Sequence, residues 1–142
     1  MKTIYLMGSL RNRSDIIPIA LDLEKLNYDV FTSWLAPGEH ADDKWKEYEQ
    51  SMGRSHKEAL NGWAARHIFE FDKFHLDRAD LIILIMPAGK SCFIELGYAI
   101  GKGKPGYILY PNGELKDRWD VMSLFATKIF FSLNELVKEL KT

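Results

Sequence analysis

The feature that most constrains the fold is an uninterrupted apolar run, Leu81 to Met86 (LIILIM), which ends at Pro87. A strand this apolar is typical of the interior of a parallel sheet, because helices then cover both of its faces. A second run, Thr3 to Met7 (TIYLM), ends in the same way at Gly8. Three further segments are predicted as strands: Tyr28 to Ser33, Gly106 to Tyr110 and Lys128 to Phe131.

Helical patterns separate these strands. Apolar residues recur at helical spacing in two stretches: Ile16, Ala20, Leu23 and Leu26, and then Leu60, Ala64, His67, Phe71 and Phe74. Capping boxes at Ser55 and Ser132 predict helix starts near His56 and Leu133. The alternation predicts an α/β fold over residues 1–142: a single-domain, three-layer sandwich of the flavodoxin or Rossmann type, with about five mainly parallel strands. Such sheets bind ligands at the carboxyl ends of their strands.

Composition and charge exclude several classes of protein. With 19 basic and 20 acidic residues, the formal net charge is -1, so the basic field that nucleic-acid binding normally requires is missing. No apolar run approaches the ~20 residues that span a bilayer, and the N-terminus lacks a signal-peptide pattern. We therefore expect a cytoplasmic protein that binds neither nucleic acid nor membranes. One cysteine and four scattered histidines match no metal-ligand spacing, so no metal site is predicted.

The segment after the most apolar strand is the first candidate site. Glu95 is expected in about the first turn of the helix that opens there, where the helix dipole favours the ionised form that a carboxylate nucleophile needs. Glutamate is also favoured in first turns for the dipole alone. Ser91 is the expected N-cap of this helix. Together with Gly89 it either only caps the helix or also presents a hydroxyl and backbone N–H groups to an anion.

The loop Gly8 to Arg13 (GSLRNR) follows the first strand and is the second candidate. The backbone at Gly8, the hydroxyl of Ser9 and the guanidinium groups of Arg11 and Arg13 have the chemistry to hold a phosphate or a ribose. The alternative is that both arginines are solvated loop charges.

Asp72 lies in an apolar run on the helix before the strand Leu81 to Met86. If its carboxyl group faces inward, burial raises its pKa and allows it to donate a proton to a leaving group. The alternative is a solvated or ion-paired aspartate on the helix surface.

The segment Trp34 to Gly53 is longer than a strand-to-helix connection requires. It predicts either a lid over a substrate, which makes Trp34 a candidate substrate contact, or an extra surface helix whose aromatic side chains pack on the domain.

Four blocks of sequence resemble the nucleoside 2-deoxyribosyltransferase family, which includes relatives that hydrolyse the N-glycosidic bond of deoxynucleoside monophosphates. The blocks are IYLMGSLRN (Ile4 to Asn12), ADLIILIMPAG (Ala79 to Gly89), ELGYAIGKGKP (Glu95 to Pro105) and VMSLFAT (Val121 to Thr127). The resemblance covers nearly the whole chain. It implies cleavage of the N-glycosidic bond of a 2′-deoxyribonucleoside or its 5′-monophosphate, with base exchange favoured and hydrolysis as the alternative. A non-catalytic nucleotide-binding or signalling module is the alternative from another class.

The resemblance also implies roles for single residues. Glu95 corresponds to the nucleophile that attacks the deoxyribose C1′ and forms a glycosyl-enzyme intermediate, and Asp72 corresponds to the carboxylate near the base and sugar. Gly8, Ser9 and Arg11 correspond to the loop that holds a 5′-phosphate in the hydrolase branch. This chemistry requires no metal and no redox cofactor.

Two further features concern the base and the quaternary structure. The family places a base-reading aspartate or serine where this chain has Gly89, so the base is not predicted and Ser91 is the candidate substitute. Ser123 corresponds to a serine that reaches the site of a neighbouring subunit, which implies a homo-oligomer, either a dimer or an assembly of dimers. Four late apolar residues are expected to bury against a partner subunit or against the chain's own sheet: Trp119, Met122, Leu124 and Phe125.

Overall fold

Five short parallel strands form one sheet. The structure is a computed structural model that describes residues 1–142, and its strands are β1 (Thr3–Met7), β2 (Asp29–Phe31), β3 (Leu81–Ile85), β4 (Gly106–Leu109) and β5 (Lys128–Phe130). Their order is β2-β1-β3-β4-β5, and every neighbouring pair is parallel. Each strand lies at or within its predicted range. The predicted α/β sandwich is confirmed, with the flavodoxin type of strand order.

The chain has six helices: α1 (Arg13–Lys25), α2 (Ala41–Ser51), α3 (His56–Leu60), α4 (Trp63–Arg78), α5 (Lys90–Gly101) and α6 (Leu133–Leu140). Of these, α1, α4, α5 and α6 cover the two faces of the sheet. Successive side chains of a strand point to opposite faces. Tyr5 and Met7 of β1 therefore pack in the layer of α4 and α5, whereas Ile4 and Leu6 pack in the layer of α1 and α6. None of the six helices combines the length and apolar character needed to cross a bilayer.

The two predicted helix starts are confirmed. Ser55 and Glu58 form a complete capping box, in which each side chain accepts a hydrogen bond from the backbone N–H of the other residue. The Ser132 hydroxyl accepts a 3.1 Å bond from the backbone N–H of Glu135. The Glu135 carboxylate, however, accepts from the N–H of Phe131, so α6 has the serine cap without the reciprocal bond.

The apolar stripe predicted over Leu60 to Phe74 is not the buried face of a helix. Leu60 ends α3, and Phe74 is 64% exposed on α4. The residue that α4 buries is Leu76, which is 4% exposed. Phe69 and Asp72 share the side of Leu76, because they precede it by about two turns and one turn. The pattern was ambiguous because phenylalanines occur on both sides of this helix.

Candidate active site

The loops after β1 and β3 lie side by side, because these strands are paired neighbours in the middle of the sheet. Gly8 directly follows β1 at a position where a side chain would be crowded: a Cβ atom would lie 2.7 Å from Cδ1 of Ile16 and 3.3 Å from the carbonyl oxygen of Ile85. Asn12 joins the two loops, since its Nδ2 donates to the carbonyl oxygen of Met86 at 3.5 Å. The candidate site is therefore built at the carboxyl edge of the two central strands.

Glu95 of α5 forms a hydrogen bond with a residue of β1. Its Oε2 accepts a 3.0 Å hydrogen bond from the hydroxyl of Tyr5, a residue that is only 1% exposed. Burial, followed by the charges of Glu95 and Asp72, raises the pKa of Tyr5 well above its usual range, so the phenol keeps its proton and acts as a donor. The sequence analysis missed Tyr5. The signal available was the hydroxyl group of Tyr5 within an otherwise apolar stretch, Ile4 to Met7, that leads into a candidate loop.

Burial dominates the electrostatics of Glu95. Desolvation raises its pKa from 4.5 to about 7, while the hydrogen bond from Tyr5 lowers it and the charge of Asp72 raises it. The expectation that the helix dipole keeps Glu95 ionised is therefore wrong. Gly89 is the N-cap of α5, so Glu95 is the sixth residue of the helix and lies beyond the first turn, where the dipole acts. This carboxyl group therefore titrates near neutral pH.

Asp72 of α4 faces the same space. Its charge acts on both Tyr5 and Glu95, which places the two carboxyl groups close to each other between α4 and α5. The space between these two helices is called the cleft below. Burial raises the pKa of Asp72. Its carboxylate has no hydrogen bond or ion pair with another residue, so it is available to a ligand. The structure thus brings together the two carboxylates that the sequence singled out.

Some of the polar groups in the loop after β1 form hydrogen bonds within the protein. Ser9 Oγ accepts a 3.2 Å bond from the backbone N–H of Arg11 and so caps a 3-10 turn at Leu10–Asn12. Arg13 donates to the carbonyl oxygen of Leu35 at 2.7 Å, which ties α1 to the segment after β2. Of the two arginines, only Arg11 has a guanidinium group that is exposed and without a protein partner.

Trp34 has a structural contact at the end of β1. Its indole Nε1 donates a 2.7 Å hydrogen bond to the carbonyl oxygen of Leu6. β2 ends at Phe31, opposite Tyr5, so the backbone beyond that pair has no strand partner on this side. The indole of Trp34 therefore satisfies the carbonyl group that a longer β2 would have paired.

Gly89, and not Ser91, is the N-cap of α5, which corrects the sequence prediction. The chain enters the helix at Gly89 in an extended conformation, and no side chain caps the end. Nothing lies within 4 Å of the position that a Cβ atom at Gly89 would take, so the space in front of this end is open. Ser91 is exposed and lies on the same side of α5 as Glu95, one turn earlier.

Ser123 is not part of this cleft within one chain. It lies in a 3-10 turn at Val121–Phe125 and lines a cavity of about 270 Å³ together with Phe93 of α5. Phe93 and Glu95 are two positions apart on α5 and so point in directions about 160° apart. The cavity with Ser123 therefore lies on the opposite side of α5 from Glu95.

The apolar residues around Ser123 do not bury against the chain's own sheet. Trp119 is 85% exposed, Met122 58%, Leu124 77% and Phe125 76%. Of the two alternatives for this cluster, packing on the sheet is thus wrong.

The long segment after β2 forms helix α2, which packs on α3 and approaches the starts of α4 and α5. Near its end, Oε1 of the buried Glu49 lies 3.9 Å from the position of a Cβ atom at Gly62, directly before α4. Near its start lies Asp42. Burial and the charge of Glu95 raise the pKa of the Cys92 thiol in α5 to about 12, and the charge of Asp42 adds to this effect. The helix therefore extends from the start of α4 towards the start of α5.

No three histidine, cysteine, aspartate or glutamate side chains are grouped as ligands of a metal ion would be.

Comparisons with known proteins show similarity in structure but not in sequence. No protein-family model matches the chain, and no curated protein sequence matches it. A solved structure does: the 2-deoxyribosyltransferase of the psychrotolerant bacterium Bacillus psychrosaccharolyticus, described as a biocatalyst for the synthesis of nucleosides. The TM-score is 0.59 at 20% sequence identity, over 94% of this chain and 89% of that one. The resemblance to the nucleoside 2-deoxyribosyltransferase family is thereby confirmed at the level of the fold.

Proposed function

We propose that this protein is a deoxyribosyltransferase that cleaves the N-glycosidic bond of 2′-deoxyribonucleosides, or of their 5′-monophosphates, and transfers the sugar to a second base. The observation that carries the proposal is the carboxylate pair: Glu95, held by Tyr5, faces Asp72 across a cleft at the carboxyl edge of the sheet. The fold is that of a known deoxyribosyltransferase. Because fold alone does not establish activity, the proposal depends on this pair.

In the first half of the reaction, ionised Glu95 attacks C1′ of the deoxyribose. The bond from an oxygen of Glu95 to C1′ forms as the bond from C1′ to the base nitrogen breaks, and the electron pair leaves with the base. The transition state resembles an oxocarbenium ion, which the adjacent carboxylate stabilises. The departing base takes up a proton from water.

In the second half, a nitrogen of the acceptor base attacks C1′ and the bond to Glu95 breaks. The acceptor releases the proton that balances the one taken up by the first base, so the exchange consumes and produces no net proton. Attack by water instead of a base would release free deoxyribose or its phosphate, which is the hydrolase alternative.

Asp72 has two possible roles, as a proton donor to the base and as an acceptor for a sugar hydroxyl. The charge of Asp72 contributes to the raised pKa of Glu95, and burial raises the pKa of Asp72 itself. The carboxylate of Asp72 has no hydrogen bond or ion pair within the protein, so we assign it as the acceptor of a hydrogen bond from a hydroxyl of the deoxyribose.

The substrate's 5′ end is assigned to the open edge of the site. The uncapped start of α5 at Gly89, with Ser91 on the Glu95 side, faces the loop that carries Ser9 and the free guanidinium group of Arg11. Backbone N–H groups and an arginine at such an edge suit a phosphate or a sugar hydroxyl.

The segment from Trp34 to Gly53 is assigned as a lid. Its helix α2 places Glu49 beside Gly62, directly before α4, and brings the charge of Asp42 near Cys92 of α5. The buried Glu49 is anchored by an ion pair of 3.1 Å to Arg54. A cover at this position excludes water, which favours transfer to a base over hydrolysis.

The proposed function is tested with a panel of deoxynucleosides and deoxynucleoside 5′-monophosphates, each incubated with and without a second base. Chromatography of free and exchanged bases separates the outcomes. Exchange that requires the second base supports the proposal. Release of free base in water alone, above all from monophosphates, replaces it with the hydrolase alternative. Ligand binding without turnover replaces it with a nucleotide-binding module.

Replacing Tyr5 by Phe is expected to lower kcat/KM at pH 7 by about ten- to a hundredfold, because Glu95 loses a charge-assisted hydrogen bond. The same bond lowers the pKa of Glu95, so its loss raises that pKa further. The rising limb of the pH profile of kcat/KM should therefore move to higher pH, a shift that a purely structural defect would not produce. The measurement is kcat/KM between pH 5 and 9 for both proteins.

Tyr98→Phe is the matched control for this substitution. The hydroxyl of Tyr98 also donates to a carboxylate, Asp77, at 2.6 Å, but this bond lies about one turn further along α5, away from the carboxyl edge of the sheet. We expect its pH profile to coincide with that of the wild type. Equal shifts of the pH profile in both variants would contradict the positioning role of Tyr5.

A homo-oligomer is expected in solution. Trp119, Leu124 and Phe125 are at least 76% exposed, and contiguous apolar surface of this kind is typical of a subunit interface. Ser123 lies beside this surface, as its assignment to a neighbour's site requires. Size-exclusion chromatography with light scattering at micromolar concentration should give a dimer or a multiple of it. A monomeric mass would contradict both the assembly and the role of Ser123.

A further inference from the structure

One phenylalanine of α4 is exposed on the side of the helix that should be buried. Phe69 is 61% exposed, and Phe74, five residues later, is 64% exposed. At about 100° per residue, Phe74 points about 160° away from the buried Leu76, whereas Phe69 points only about 20° away from it. Phe74 thus faces outer solvent. Phe69 faces inward and is exposed because the space in front of it is open.

That open space is the cleft of the two carboxylates. Asp72 lies one turn after Phe69 on the same side of α4, and its charge acts on Glu95 across the cleft. Phe69 contacts no other aromatic ring, whereas Phe71 packs against Phe31 with ring centroids 6.0 Å apart. Its ring is therefore an unpartnered apolar face at the wall of the candidate site.

Phe69 lies along α4 at the level expected for the base of the substrate and not for its sugar. α4 ends at Arg78, shortly before β3 begins, so its other end points towards the carboxyl edge of the sheet. Phe69 lies about 4.5 Å further out along the helix axis than Asp72, and helical side chains lean further towards the N-terminus. A sugar whose C1′ meets Glu95 occupies the level of Asp72. The base extends from C1′ away from the nucleophile, towards Phe69.

We infer that Phe69 is the stacking wall for the nucleobase of the substrate, an inference that rests on the proposed function. An aromatic ring stacks on the π-face of any heterocycle and discriminates weakly between bases. Purines, which overlap a phenyl ring more extensively than pyrimidines, should depend on Phe69 more strongly.

The test compares Phe69→Ala with Phe74→Ala, a control on the same helix with the same residue type and nearly the same exposure. Isothermal titration calorimetry with 2′-deoxyadenosine and with its 5′-monophosphate gives Kd, and initial rates give kcat and KM. For Phe69→Ala we expect Kd and KM to rise about ten- to a hundredfold, with kcat changed much less. Phe74→Ala should stay within threefold of the wild type. Phe69→Tyr, which keeps the ring, should restore binding to within threefold.

Three results would overturn the inference and are distinguishable from one another. If Phe69→Ala binds within threefold of a wild type that is active, the stacking role is wrong and the proposed function stands. If Phe69→Ala and Phe74→Ala lose affinity equally, the loss reflects a general effect on α4. If the wild type neither binds nor converts any member of the panel, the proposed function fails and the role of Phe69 falls with it.

Discussion

Replacing Glu95 by Gln should abolish turnover, with a fall in kcat of at least about a thousandfold, because the amide cannot form the glycosyl-enzyme bond. Binding should persist. Gln keeps the volume of Glu and an oxygen that can accept from the hydroxyl of Tyr5, so the Kd of a deoxynucleoside should stay within about tenfold, or ~1.4 kcal/mol. The measurements are initial rates by chromatography and Kd by calorimetry on the same preparations.

Glu70→Gln serves as the control for this substitution. Glu70 lies on α4, 64% exposed at its side chain, and its contact with Arg66 is a 3.9 Å surface ion pair. Such pairs contribute little, so both kcat and stability should be unchanged. Wild-type turnover in Glu95→Gln would remove the nucleophile from the proposed mechanism. A mass increase equal to one deoxyribosyl group on the wild type after acid quench, absent from Glu95→Gln, would identify the intermediate directly.

The sheet was predictable because its strands carry strong local signals. The run Leu81 to Met86 has no polar residue, and glycine or proline follows it and the strand Thr3 to Met7, so pattern alone located their ends. The faces of α4 were less predictable. Phe69, Phe71 and Phe74 are equally apolar in sequence, and only the position of the helix on the sheet decides which of them lies towards the cleft.

The site was predictable in its residues but not in its electrostatics. Glu95 and Asp72 were singled out from the sequence, and the structure brings them to one cleft. The sequence predicts an N-cap at Ser91, and a helix that begins there has Glu95 within reach of its dipole. The helix instead begins after Gly89, and burial, which no local pattern encodes, raises the pKa of Glu95. The missing donor, Tyr5, comes from a strand 90 residues away in sequence.

The raised pKa of Glu95 predicts an activity that rises with pH. Because the nucleophile must be ionised and its pKa in the free protein is about 7, kcat/KM should fall about tenfold for each pH unit below 7. Above pH 7 it should reach a plateau, since Glu95 is then ionised and the proposed mechanism requires no protonated Asp72. A rate that is flat between pH 5 and 8 would contradict the burial of the nucleophile. A fall above pH 7 would instead assign Asp72 as a proton donor to the base.

The same shift has a consequence for stability that does not depend on any substrate. In the unfolded chain the pKa of Glu95 is about 4.5, but in the folded protein Glu95 keeps its proton up to about pH 7. The folded state therefore binds more protons between these values, and the free energy of unfolding should fall as pH rises from 4.5 to 7, by up to about 3 kcal/mol from this group. Glu95→Gln removes the titration, so the variant should become more stable than the wild type above pH 7. Urea unfolding of both proteins at pH 5 and pH 8 measures the difference in their free energies of unfolding. The same difference at both pH values would show that Glu95 has an ordinary pKa. Ionised Glu95 is needed for catalysis, but at the same pH it lowers the stability of the folded protein. Such a trade-off is expected where a residue is selected for activity and not for stability.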